Sequence, residues 1–200
     1  MKCRFGFYVL GCLSVMAMLC GCSTPKMLSG VPLVWKPTKD INDADTSLPA
    51  AIFAHKYKIM PFIDSRENKR EIAKNIEDKK DKLVTTCDNV SDWCRSRFMA
   101  VIKQRGFNVV EENASMTFKG EVLEFYVIED NMYNASVGIK ITAENAAGNV
   151  VWQGMMSGSA KRFGHSYKLE NYYETLSDAY INAVNGLLKN QEFRTALQKK

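Results

Sequence analysis

The stretch from Tyr133 to Glu144 leaves the chain little choice of conformation. Val137, Ile139, Ile141 and Ala143 alternate with Ser136, Lys140, Thr142 and Glu144. A period of two is satisfied by an extended strand with one buried face. The segment before it, Ser115 to Asp130, is apolar on even positions at first (Met116, Phe118, Val122) and on odd ones later (Leu123, Phe125, Val127). Either a bulge near Val122–Glu124 or burial on both faces accounts for this change of phase. "ENAAGNV" then supplies a turn, with Gly148 and Asn149 able to take positive φ, and Val150 to Phe163 returns as a glycine-rich third strand.

Two helices flank this meander. Ser91 to Arg105 opens on a capping serine with Asp92 in the first turn, where the helix dipole favours negative charge. Cys94, Phe98, Val101, Ile102 and Arg105 share one side, and Gly106 can adopt the left-handed conformation of a C-cap before a short strand, Phe107 to Val110. Asn171 to Lys189 presents a broad apolar face through Tyr172, Leu176, Ala179, Tyr180, Ala183, Val184, Leu187 and Leu188. "NQEFRTAL" adds a turn or two, with Phe193 and Leu197 able to pack back. Upstream, "HKYKIMPFIDSR", His55 to Arg66, alternates as a strand. Pro61 places it at an edge or imposes a local irregularity. Glu67 to Lys82 is the most charged part. It forms either a short helix with Ile72 and Ile76 on one face or a hairpin around "EDKKD" leading into "KLVTT". The order strand, charged insert, helix, meander, helix implies an α+β two-layer sandwich. Its sheet is expected to be mostly antiparallel, of about 4–5 strands, with two main helices packed on one face.

The amino terminus gives an address. Lys2 and Arg4 precede an uncharged run, Phe5 to Leu19, that is shorter than a membrane-spanning helix requires. Leu19-Cys20-Gly21-Cys22 resembles the bacterial lipobox, in which the last cysteine is acylated and becomes the first mature residue. Carried over, Cys22 is the lipidation site, bearing diacylglycerol and palmitate, and Cys20 leaves with the signal. Each buried CH₂ of such chains contributes about 0.8 kcal/mol, so several chains hold firmly. Ser23 directs the product toward the outer membrane under the enteric sorting rule. Residues 1–21 are therefore expected to be a lipoprotein signal peptide, 22–51 a lipidated tether and 52–200 a single α+β domain. The tether carries four of the five prolines (Pro25, Pro32, Pro37, Pro49), and as a flexible coil would span about 30 Å. Within it "VPLVW", Val31 to Trp35, is expected to dock on the domain as an extended strand.

Catalytic sets are missing from the sequence. The two histidines, His55 and His165, belong to no HExxH, HxH or Cys/His cluster, and no GxSxG, P-loop or GxGxxG is present. No enzymatic activity, metal or cofactor is expected, and no residue is assigned to ligand binding. The formal charge of +5 falls to +3 without Lys2 and Arg4 and is dispersed, so nucleic acid is not an expected partner. Asp64 and Arg66 are expected to form an ion pair or Asx-turn closing the first strand. Four of the six cysteines lie in the first 22 residues, which leaves Cys87 and Cys94. In an oxidising compartment these either form a disulfide, the favoured reading, or remain a free Cys87 and a buried Cys94.

"IDSRENKREIAKN" and "KLVTTCDNVSDWCRSRFMAVIKQRGFNVV" together resemble the YajG-type family of bacterial outer-membrane lipoproteins. The shared frame is Asp64-x-Arg66, the Ile72-Ala73 pair and a helix ending in Arg105-Gly106-Phe107. The likeness extends over about residues 55 to 197 and departs at the two cysteines and at "EDKKDK". It implies an envelope accessory protein held to the membrane by its lipid, with an envelope protein as partner. The alternative is an auxiliary lipoprotein of an ABC-type or lipid transport system. A flat mixed surface favours the first, a deep apolar groove between sheet and helices the second. A pocket joining His165 to a carboxylate would point to an enzyme.

Overall fold

In a computed structural model, which describes residues 27–41, 47–77 and 81–198, one 8-stranded mixed sheet forms the frame. The chain runs α1 (Ala50–Phe53), β1 (Lys56–Ile59), β2 (Ile63–Asp64), β3 (Glu71–Asn75), β4 (Lys82–Thr85), α2 (Val90–Gln104) and β5 (Asn108–Val109). The long meander follows as β6 (Met116–Glu129), β7 (Met132–Asn145) and β8 (Val150–Phe163), then α3 (Leu169–Lys189) and α4 (Gln191–Leu197).

The sheet is larger than the expected 4–5 strands, and it is not mostly antiparallel in the sense anticipated. Strand β6 is its spine. One edge of β6 pairs antiparallel with β7, which in turn pairs with β8. The other edge is shared end to end by β1, β2 and β3, all parallel to β6. β5 adds parallel to β1 and β4 antiparallel to β3. One of the added strands has a local cause at Pro61. The proline has no amide hydrogen to donate, so "HKYKIMPFIDSR" splits into β1 and β2. The Met60 and Ser65 amides still reach Phe118 and Val122 carbonyls on β6 (2.9 and 3.0 Å). The charged insert is a hairpin, β3–β4, and not a helix. The phase change in β6 is a bulge, with the register shifting between Val122 and Glu124.

Helices α2, α3 and α4 cover one face. Between the layers lie Phe98, Phe118, Phe125, Ile139, Ile141, Tyr180 and Leu187, all buried. Aromatic rings interlock there, Phe98 with Phe62 and Phe118 (5.8 Å each) and Trp93 with Phe125 (5.3 Å). Gly106 ends α2 at φ 90°, as its sequence position implies. The N-cap of α2 is Asn89 and not Ser91. The Asn89 side chain accepts the Asp92 amide (3.1 Å) and the Ser91 hydroxyl (2.7 Å).

The glycines of β8 let α3 approach. A Cβ built on Gly158 would lie 2.2 Å from the Ala183 nitrogen and 2.5 Å from the Ala179 carbonyl oxygen. The helix backbone therefore rests directly on the strand, and a side chain at 158 would separate the layers.

Candidate functional site

Residues 28–41 lie as a strap across the domain, so the packed part of the chain begins well before Ala51. Val31 forms a parallel bridge with Thr86, and its amide donates to the Thr85 carbonyl (2.9 Å). Three acceptors fix the extended backbone beyond it. Asp88 accepts the Leu33 amide (2.7 Å), Ser177 the Lys36 amide (2.9 Å) and Asp178 the Thr38 amide (2.8 Å). Trp35 packs at 5.7 Å on Trp93 and 6.2 Å on Tyr180, and the Arg97 guanidinium lies over both tryptophan rings. Docking of "VPLVW" is thus as expected. The partners Ser177 and Asp178 were not legible, because a polar pair inside an amphipathic helix gives no local sign of what it binds.

Among the described residues nothing covers the opposite face of the sheet. The register of β6, β7 and β8 sets its rows: Lys119–Thr142–Gln153, Glu121–Lys140–Met155 and Tyr126–Ser136–Ser159. Lys119 pairs with Glu144 (2.6 Å), Glu121 accepts the Ser65 hydroxyl (2.7 Å), and Gln153 donates to Thr142 (2.9 Å). Ile63, Leu123, Ile128 and Met155 stand exposed among these polar groups. A broad surface of satisfied polar groups with separate apolar posts resembles the general character of a non-obligate protein interface.

The clefts are shallow and mixed in lining. One of about 400 Å³ lies between Asp64, Arg70, Asp88 and the start of α2; one of about 360 Å³ lies beside Asn182, Asn185 and Lys39. Neither histidine lines either cleft. His165 is exposed beside Phe163 (6.0 Å), and His55 meets the Ser115 hydroxyl (3.1 Å). Among the described residues no group of three or more His, Cys, Asp or Glu side chains is placed to hold a metal ion, and no helix is long and apolar enough to cross a membrane. The lipobox and Cys22 lie outside the described residues.

Cys87 and Cys94 are free thiols, so the favoured disulfide is not formed. The second turn of α2 carries Cys94 fully into the core, while Cys87 stays exposed with its amide bonded to the Val31 carbonyl (3.3 Å). Burial pushes the Cys94 thiol well above its ordinary range, which makes it a packing residue.

Four charged side chains are buried among the described residues, Arg66, Glu129, Glu174 and Asp178; Asp178 holds the strap, and Arg66 and Glu129 serve the frame. Arg66 forms a bidentate pair with Asp64 (2.8 and 2.9 Å) and also donates to the carbonyls of Lys69 (2.5 Å), Glu71 (2.8 Å) and Phe125 (3.3 Å). The expected ion pair is present, and it pins β2, the turn before β3 and β6 together. Glu129, at the end of β6, accepts the amides of Ser166 (3.0 Å) and Tyr167 (2.9 Å) and the Tyr172 hydroxyl. Burial alone would raise its carboxyl. Hydrogen bonds from Asn75, Tyr172, the Tyr167 amide and Tyr133 outweigh that and hold it below the ordinary carboxylate range. Sequence patterning missed Glu129, since an acidic residue at a strand end ordinarily faces water.

A family model described as uncharacterized lipoprotein matches residues 61–198, which takes in every element from β2 to α4. The chain belongs to this family, Lipoprotein_16. Membership makes it a lipoprotein-family domain in the cell envelope and leaves its task open. No curated protein matches the chain. Among solved structures, protein XCC0632 from Xanthomonas campestris is similar at a TM-score of 0.53 and 8% identity, covering 82% of this chain and 93% of that one. This likeness shows the fold. The PelC dodecamer from Paraburkholderia phytofirmans gives a TM-score of 0.45 at 16% identity, over 72% of this chain and 92% of that one.

Proposed function

We propose that the chain is a non-catalytic binding module of YajG type. It is anchored by acylated Cys22 in the outer membrane, faces the periplasm, and meets an envelope protein through the uncovered face of its sheet. The observation that carries this reading is the contrast between the two sides of β6–β8. The helix side is filled by Phe98, Phe118, Phe125 and Tyr180, and among the described residues the other side stays open, with polar and apolar side chains mixed. Lipid handling would need an apolar groove between sheet and helices, and among the described residues that space is occupied. Membership in a lipoprotein family supports the anchored location.

A photoreactive residue at Met155, on the open face, tests the reading in the full-length anchored protein. Crosslinks to an envelope protein are expected from Met155, and none from Lys103 on the outer side of α2. Recovery of lipid alone from Met155 would contradict the proposal.

A further inference from the structure

We propose that the domain stands on the bilayer with one end of its sheet, the end holding Met27, Ile76, Ile128 and Phe163, in contact with the phospholipid headgroups. The inference rests on lipidation of Cys22 and adds an orientation to it. Four residues, Ser23 to Lys26, separate Cys22 from Met27. At about 3.3–3.6 Å per residue those five steps reach no more than about 18 Å. A coil of some 28 residues, as the proline-rich composition suggests, would have let the domain drift and turn; the docked strap removes that freedom.

Chain direction selects the end. The strap runs parallel to β4, since Val31 bridges Thr86 in parallel and the Leu28 carbonyl accepts the Thr85 amide (3.0 Å). It therefore enters from where β4 begins, at Lys82. The Leu28 amide donates to the Tyr167 hydroxyl (3.2 Å), which donates onward to the Leu83 carbonyl (3.0 Å). Strand pairing places the close of β6, the start of β7 and the close of β8 at this same end. The opposite end, at Met116, Asn145 and Val150, lies about 40 Å away at the rise of an extended strand.

The chemistry of the end fits a lipid surface. Phe163 and Met27 are the most exposed large apolar side chains among the described residues, at 77% and 70%, and Ile76 and Ile128 add to them. The register sets Lys74, Ile128, Asn134 and Lys161 in one row across β3, β6, β7 and β8. Lys82 extends over the Tyr167 ring (5.6 Å). Of the acids nearby, Glu129 is buried, Asp81 pairs with Lys74 (2.5 Å), Asp130 accepts the Met132 amide (2.8 Å), and Glu77 stands exposed beside Ile76. Apolar tips beside lysines whose stems can lie along the interface are the pattern of a headgroup-level contact. The open face then rises from the membrane, which leaves it free to meet a protein from the side.

The test uses the full chain, matured and acylated, with Cys87→Ser to remove the exposed thiol. A fluorophore is attached at Phe163→Cys or at Gln153→Cys, on the far half of β8. The protein is reconstituted in phosphatidylethanolamine–phosphatidylglycerol vesicles containing headgroup-quencher lipid, and flotation is read on the same sample. Co-flotation with loss of fluorescence at 163 and none at 153 is the expected result. Co-flotation with equal or absent quenching at the two sites overturns the orientation alone. Failure to float overturns the anchor and the orientation with it.

Discussion

Gly158→Ala is expected to lower the stability of the full chain, in mild detergent, by about 3 kcal/mol, at the upper end of ordinary overpacking. A methyl group there would sit 2.2 Å from the Ala183 nitrogen and 2.5 Å from the Ala179 oxygen, both backbone atoms of a helix buried along its length. Neither can step aside without lifting α3 from β8. Gly186→Ala is the matched comparison. It lies in the same helix, and its Cβ would meet only the Ser157 carbonyl oxygen at an ordinary 3.5 Å. Helix propensity then favours alanine by about 1 kcal/mol. The two substitutions should shift the denaturant midpoint in opposite directions; a shared direction would contradict the close packing described.

Arg66→Met is expected to cost about 3–5 kcal/mol in the same measurement, the range for breaking one side of a buried ion pair. It leaves Asp64, whose side chain is 10% exposed, without its partner, and it removes a donor from the Lys69, Glu71 and Phe125 carbonyls. Arg66→Lys keeps the charge but not the planar fork, so a smaller loss is expected. The double variant Asp64→Ala with Arg66→Met should cost less than the sum of the single changes, because much of each single penalty is the stranded charge. A loss near zero for Arg66→Met would remove the pair from the frame of the domain.

What could be read in the sequence was what is local. Helices α2 and α3 and the three-strand meander follow from periodicity over 14 to 21 residues and from Gly106 at its cap, while the phase change in β6 left a bulge and burial on both faces open. The parallel half of the sheet could not be read the same way. β1, β2 and β3 are 4, 2 and 5 residues long, and what unites them is a shared neighbour in β6 more than forty positions away. Strands this short carry too few alternations to declare a partner, so the sheet was expected smaller than it is. The strap shows the same limit. Its proline content argued for a tether, whereas its backbone amides are taken up by Asp88, Ser177 and Asp178 from distant parts of the chain.

The candidate site divides along the same line. Asp64 and Arg66 stood out because a carboxylate and a guanidinium two residues apart can close a turn locally. Cys87 and Cys94 misled for a related reason. Their spacing permits a disulfide, but the helix buries Cys94 in the core while Cys87 stays exposed. The open face is a property of the assembled sheet. Its polar residues, such as Lys140 and Thr142, were correctly expected to point outward, but that nothing in the described chain covers them emerges only from the layer arrangement.

Fractionation of Cys22→Ala tests the anchored reading most directly, since compartment, orientation and partner all depend on that one thiol. The account predicts wild-type protein in the outer-membrane fraction and the variant released from membranes. Retention of the variant in the membrane fraction would contradict it.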